Sequence, residues 1–218
     1  MSVLRALEKG GKIEELNLSL SSLRNMEGTM TDPDISRVTE LASKVIPRCK
    51  SVQLRLFDFI RWKDLFTALS FATSPLPEEL DLSKNNLSLA PSLALAVAPS
   101  LALAAAVTKI VRVKLMETKL SKLQTSSIFK RISEEEELRI EDLDIMFNNL
   151  SQLDPDHLAQ AATKLVKLNL GWSKLTERQV ERMFERLDVC NNLLSIKYIN
   201  FKRWRECLRD WMKRRMES

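Results

Sequence analysis

The feature that most constrains this chain is an apolar pattern that returns seven times along its 218 residues. Each copy approximates L-x-x-L-x-L-x-x-N-x-L, and its central L-x-L has the alternation of a short strand with one buried side. The fourth positions lie 25 to 36 residues apart, with a mean of 30. They are Leu16, Val52, Leu80, Val113, Leu143, Leu168 and Ile196. Because a unit of about this length cannot bury its own apolar side, the pattern predicts parallel strands stacked side by side.

The segments between the copies carry helix signals. Asp32-Pro33-Asp34 and Asp154-Pro155-Asp156 each place an N-cap aspartate before a proline. Thr176 and Glu177 open another helix, and apolar residues at helical spacing predict two more, at Trp62 to Ala72 and at Ser121 to Ile132. This alternation predicts an α/β fold with the sheet on one side and the helices on the other.

The ninth position of the pattern indicates how regular the stack is. An asparagine there can hydrogen-bond backbone groups of its own turn and of the neighbouring copy, and only Asn85 and Asn148 keep this residue. Ser21, Thr118 and Ser173 can do part of the same work, whereas Phe57 and Phe201 cannot. We therefore expect an interrupted row of these bonds and less regular outer copies.

The stretch from Asn85 to Thr108 contains no charged residue, and its length alone would permit a membrane span. It is rich in weakly apolar alanine, however, and prolines at 91 and 99 interrupt it. The sequence Ala-Pro-Ser-Leu-Ala-Leu-Ala at Ala90–Ala96 recurs at Ala98–Ala104. We expect one buried helix, or two short ones, enlarged by this local duplication.

The segments Leu80–Leu87 and Leu165–Leu170 best show that the chain resembles leucine-rich repeat proteins of the ribonuclease-inhibitor-like class. The resemblance extends from about Ile13 to Phe201. It implies a solenoid, or horseshoe, with a parallel concave sheet and outer helices. We expect residues 1–202 to form an array of about seven repeats and residues 203–218 a basic C-terminal capping helix. Members of the class are mostly protein-binding scaffolds and sensors, and some regulate small GTPases or cap actin filaments.

In such an array, the residues between and just after the strand leucines line the concave surface. The later copies place large apolar side chains there, where solvent is expected. Such residues are enriched at the centres of protein interfaces. The predicted partner-binding residues are Met116, Glu117, Asp144, Met146, Phe147, Asn169, Trp172, Lys197 and Ile199.

In an alternative interpretation, some of these apolar side chains tuck into turns and Trp172 packs on a neighbouring repeat. The nearby acids Glu117, Glu141, Asp142 and Asp144 favour a partner with Lys or Arg at its rim.

The C-terminal segment is basic and amphipathic, with Trp204, Leu208 and Trp211 on one helical face and Arg205 and Arg209 beside it. A cap over the last repeat explains this pattern. Docking on an anionic membrane or nucleic acid, or self-association, would explain it as well. The formal charge of the whole chain is only +5, which by itself indicates a solvated surface.

The sequence offers little for catalysis. His157 is the only histidine, which excludes multi-histidine zinc sites, and no phosphate loop, dinucleotide fingerprint or nucleophile elbow is present. Three cysteines without metal-ligand spacing are typical of a reducing, cytoplasmic location. We expect a protein-binding scaffold that is not an enzyme and has no cofactor, metal or small-molecule substrate. The alternatives are a non-catalytic regulator of an enzyme such as a small GTPase, and a nucleic-acid or membrane adaptor acting through the basic C-terminal helix.

Overall fold

The computed structural model describes residues 11–19, 32–55, 62–72, 76–88 and 93–189, and beyond them Lys213 alone. Within these residues there are six strands: β1 Ile13–Ser19, β2 Cys49–Arg55, β3 Glu79–Asp81, β4 Arg112–Lys114, β5 Asp142–Asp144 and β6 Lys167–Asn169. Six α-helices alternate with them: α1 Asp32–Val45, α2 Trp62–Phe71, α3 Leu93–Thr108, α4 Lys122–Glu134, α5 Pro155–Lys164 and α6 Glu177–Val189. A short 3-10 helix, Ile46–Arg48, joins α1 to β2.

All six strands form one parallel sheet whose spatial order is the order of the chain. The fourth-position residues of the first six copies pair across it in a single register: Leu16, Val52, Leu80, Val113, Leu143 and Leu168. All six are buried. The predicted parallel sheet is therefore confirmed for these copies, whereas the seventh, around Ile196, lies outside the described residues.

The apolar core joins the inner side of the sheet to the helices. Leu80, Val113 and Leu143 belong to the same buried cluster as Leu103 of α3 and Ile128 of α4. Each helix from α1 to α6 packs against the next along the chain. The helices therefore form one layer on the sheet, because strand–helix units in this order bury their apolar sides only against neighbouring units.

The uncharged stretch contains a single helix, α3, with Pro99 inside it. Its second half is buried against the core, at Leu103, Ala104 and Val107, among other residues. In the part of the chain that the structure describes, no helix combines the length and the apolar character that crossing a membrane requires.

The helix starts follow local capping chemistry. Asp154 accepts bonds from the backbone N–H groups of Asp156 and His157 at 2.9 and 3.0 Å, as predicted for the N-cap of α5. Helix α1 begins at Asp32, the predicted N-cap itself, and so starts one residue earlier than the sequence predicts. Helices α4 and α6 begin with reciprocal bonds across four residues, Ser121 with Gln124 and Thr176 with Gln179.

The ninth-position side chains hold the turns after the strands. Asn85 donates to the Leu82 carbonyl of its own turn and to the Leu54 carbonyl of the preceding copy, at 2.7 and 2.6 Å. Asn148 does the same with Ile145 and Leu115, at 3.1 and 2.7 Å. In the copies without asparagine, the Ser173 hydroxyl donates to the Leu170 carbonyl of its own turn. The Thr118 hydroxyl bonds the Leu115 carbonyl of its own turn and the side-chain oxygen of Asn148 in the next copy, at 2.8 and 3.2 Å. The predicted interruption of this row is thus present among the described copies.

Candidate functional site

The open face of the sheet carries two rows of polar side chains, one on each side of the buried fourth positions. In the first row, opposite charges meet across strands. The Lys167 ammonium lies 2.9 Å from the Asp142 carboxylate. Glu79 lies 3.5 Å from the Arg112 guanidinium of the same row and accepts at 2.6 Å from Lys114 of the second row.

In the second row, two aspartates are bonded within the sheet. Asp81 accepts from the Ser83 N–H at 2.9 Å and from the Gln53 amide at 2.8 Å. Asp144 accepts in the same way from the Met146 N–H and the Asn169 amide, both at 3.1 Å. Each aspartate therefore holds its own turn and also binds the neighbouring strand.

Burial raises the pKa of the Asp144 carboxyl, although its two hydrogen bonds and the charge of Lys114 act in the opposite direction. Asp144 lines a shallow depression of about 340 Å³ that also includes Glu79, Arg112 and Asp142. Since the charges here are largely matched across strands, this face offers a partner little unsatisfied charge.

Beyond the carboxyl ends of β3 to β6, the chain turns through a left-handed residue at position eight of the copy. These residues are Lys84, Glu117, Phe147 and Trp172, with φ between 57° and 63°. Backbone bonds keep them in register: the Lys84 N–H donates to the Met116 carbonyl, and the Phe147 N–H to the Gly171 carbonyl. Position eight therefore forms a column across four copies.

A second column runs beside the first. Position nine is buried in each of the four copies and position ten is exposed, so in each turn two exposed side chains flank one buried side chain. We call the exposed residues of these two columns the rim surface. Its residues are Lys84, Glu117, Phe147 and Trp172 at position eight, and Asn86, Lys119, Asn149 and Lys174 at position ten.

The apolar part of the rim surface is one aromatic pair. The Phe147 and Trp172 rings stack with centroids 6.1 Å apart and planes 9° from parallel. Even so, the two residues are 48% and 56% exposed. Left-handed backbone disfavours bulky side chains, and Gly or Asn would fit these positions with less strain.

The predicted site residues are thus divided by the structure. Glu117, Phe147 and Trp172 lie on the rim surface, and the half-buried Met116 and Met146 precede its position-eight column by one residue. Asp144 and Asn169 bond to each other in the second row of the sheet. The predicted residues Lys197 and Ile199 lie outside the described residues. Trp172 packs on the neighbouring copy, as in the alternative interpretation, and is also exposed.

The four acids that the sequence suggested for a partner lie in different parts of the structure. Asp142 is paired with Lys167, and Asp144 is bonded within the sheet. Glu141 precedes β5 and so lies at the amino end of the strands, whereas Glu117 lies beyond their carboxyl ends. Glu117 is therefore the only one of the four on the rim surface, because the strand separates residues that are close in sequence.

Sequence reasoning missed the rim lysines Lys84, Lys119 and Lys174. Their signal in the sequence is the buried ninth position of the repeated pattern, which predicts that positions eight and ten on either side of it are exposed. It also missed the buried Gln124 and Gln179, which donate to carbonyls of preceding turns, Leu87 at 2.8 Å and Leu150 at 2.8 Å, respectively. The Ser-x-x-Gln and Thr-x-x-Gln spacings indicate the helix starts at which these glutamines lie, but not the carbonyls that they reach.

Reactive chemistry is sparse in the described part of the chain. No group of three or more His, Cys, Asp or Glu side chains there is arranged to hold a metal ion. The Cys49 thiol is buried, which raises its pKa and disfavours the thiolate. The imidazole of His157 lies 3.9 Å from the capping carboxylate of Asp154.

In comparisons with known proteins, no family model matches the sequence, and a search of curated proteins gave no match.

Proposed function

We propose that the chain is a leucine-rich-repeat horseshoe of the ribonuclease-inhibitor-like class that binds another protein through the rim surface. The repeat assignment is supported by the six fourth-position residues in one register and by the asparagine bonds that link copies. The buried, unpaired Cys49 thiol is consistent with a reducing cytoplasmic location.

The single observation that carries the binding proposal is the exposed Phe147–Trp172 stack. A protein interface gains most of its energy from a few large aromatic anchors, and charges already paired within one partner contribute little. The open face of the sheet carries paired charges of this sort, since Lys167 and Lys114 are paired with acids there. The Phe147–Trp172 stack is a candidate anchor, because covering it removes two large apolar surfaces from water.

The test removes the stack without touching the core. A tagged Phe147→Ser/Trp172→Ser variant is compared with wild type in affinity capture from a cell lysate, followed by quantitative mass spectrometry. The matched control is Phe71→Ser, which removes a 79% exposed aromatic from the end of α2. Aromatic hot spots contribute about 2 kcal/mol or more each, so we expect at least a tenfold loss of the specific partner.

Far-UV circular dichroism of all three proteins establishes that the fold is retained. A partner that wild type and Phe71→Ser retain at high salt and the double variant loses supports the proposal. Equal capture by all three proteins would remove the rim surface as the binding site.

A further inference from the structure

The rim surface differs from the sheet face in its charge balance. Three of its eight residues are exposed lysines, Lys84, Lys119 and Lys174, and one is an exposed acid, Glu117. Within the described residues, none of these four forms an ion pair or a side-chain hydrogen bond with another residue. On the sheet face, by contrast, Glu79 and Asp142 meet cations within 3 Å.

The lysines are arranged around the aromatic pair. Lys174 follows Trp172 by two residues, and Lys119 occupies the same column two copies earlier, with Asn149 between them. With neighbouring strands about 4.8 Å apart, the two lysine positions are about 10 Å apart. That is also about the distance between residues i and i+3 of a peptide in the polyproline II conformation, whose rise of about 3.1 Å and three residues per turn put these two side chains on the same side.

The positive charge continues beyond position ten. An open depression of about 540 Å³ begins at Ser151 and Thr176, which follow the rim surface closely along the chain. Lys122 and Arg178 line it, and Asp154 offsets one of these charges. An anionic partner that covers the stack can therefore extend toward the starts of α4 and α6.

We infer that the protein partner presents an acidic peptide segment in which a large apolar residue lies between carboxylates about three positions apart. Its apolar side chain covers Phe147 and Trp172, and its carboxylates pair with Lys119 and Lys174. This inference rests on the proposed function and reverses the charge that the acids in the sequence had suggested for the partner. Glu117 then repels acidic residues of the peptide that come close to it, which restricts how the peptide can be aligned along the rim surface.

The probe is a phage library of random twelve-residue peptides selected on the immobilised full chain. Sequences enriched on wild type over Phe147→Ser/Trp172→Ser are expected to be net acidic and to contain Phe, Leu or Trp between acids. On a Lys119→Glu/Lys174→Glu variant, the net charge of the enriched sequences is expected to shift toward positive. Enriched wild-type sequences that are neutral or basic overturn the inference.

The strongest wild-type peptide is then synthesised with a fluorescent label, and its Kd is measured by anisotropy in low and high salt. Lys119→Gln/Lys174→Gln is expected to weaken binding about 3- to 10-fold at low salt, and less at high salt. Lys63→Gln/Lys130→Gln, which neutralises two exposed helix lysines, is the matched control and is expected to leave Kd unchanged. Glu117→Gln is expected to tighten binding about twofold, and weaker binding by this variant contradicts the inference.

Two further results distinguish failure of this inference from failure of the proposed function. A single-stranded oligouridine that binds the rim lysines more tightly than any selected peptide overturns the inference in favour of nucleic acid. Enriched peptides that require Phe147 and Trp172 but ignore Lys119 and Lys174 overturn the inference alone and leave the proposed function standing. The proposed function fails separately, if capture of the cellular partner is indifferent to the aromatic pair.

Discussion

Asn148 provides the sharpest test of how neighbouring copies are held together. Its side chain is 2% exposed. The amide donates to the carbonyls of Leu115 and Ile145 at 2.7 and 3.1 Å and accepts from the Leu120 N–H at 3.2 Å. Replacement by alanine removes all of these bonds and offers nothing in their place.

The expected loss follows from the groups that are left behind. After Asn148→Ala, the Leu115 carbonyl keeps the bond from the Thr118 hydroxyl at 2.8 Å. The Leu120 N–H and the Ile145 carbonyl lose the bond that Asn148 provides. A buried polar group without a partner costs about 1 to 3 kcal/mol, so the free energy of unfolding should fall by about 3 kcal/mol.

Urea unfolding, followed by far-UV circular dichroism and by tryptophan fluorescence, measures this loss. With a slope of about 2.5 kcal/mol per molar urea, the midpoint should fall by about 1 M. The control is Asn149→Ala at the next position, where the exposed amide accepts only from Ser151, at 2.8 and 3.2 Å. We expect its cost to stay below about 0.5 kcal/mol.

Equal urea midpoints for the two alanine variants would refute the reasoning. Asn148 and Asn149 have the same side chain and differ in burial and in whether their hydrogen bonds reach another copy. A loss below about 1 kcal/mol for Asn148→Ala would refute it too, by showing that the bonds between copies contribute little net stability.

Three further outcomes are expected. Gln179→Ala removes the donor to two buried carbonyls and the acceptor of the Thr176 N–H, so it should lower the free energy of unfolding by about 2 to 4 kcal/mol. In the same urea assay, the control Gln152→Ala changes an exposed glutamine and should lower it by less than about 0.5 kcal/mol. In a carboxyl ¹³C NMR titration, the pKa of Asp144 should lie above the ordinary aspartate value because of burial and should rise further in Lys114→Gln, and an ordinary or lowered value would contradict the burial argument. The pKa of Asp154 should lie below the ordinary value because helix N–H groups bond its carboxylate. The cap therefore stabilises the fold fully above the ordinary pKa and loses this effect as the pH falls through the lowered pKa. Between pH 7 and pH 3, the urea midpoint of Asp154→Asn, whose cap is neutral, should fall by less than that of wild type.

Much of the fold could be predicted because its signals are local. The spacing of Leu80, Val113 and Leu143 predicted which residues pair, since a slip of one residue would turn the apolar side chains of a strand with one buried side toward solvent. The N-cap at Asp154 was predictable for the same reason, because the cap and the groups it bonds lie within three residues. The exposure of Phe147 likewise followed from its place in the repeated pattern.

The remainder depended on which residues meet across copies. Asp142 and Lys167 are 25 residues apart and pair only because β5 and β6 are adjacent, so one of the four acids that the sequence suggested for a partner is already paired within the sheet. Gln179 reaches a carbonyl 29 residues away, and no local pattern specifies that target.

The sequence by itself determined the strand positions, the helix starts and the buried side of each unit, because these follow from hydrophobic periodicity and from short-range hydrogen bonding. Only the tertiary structure decided that Phe147 stacks on Trp172, with exposed Lys174 in the turn of Trp172 and exposed Lys119 in the turn next to that of Phe147. The physical reason is that the lateral stacking of copies brings side chains 25 to 55 residues apart within contact or charge range, and the left-handed turn sets the direction in which they project.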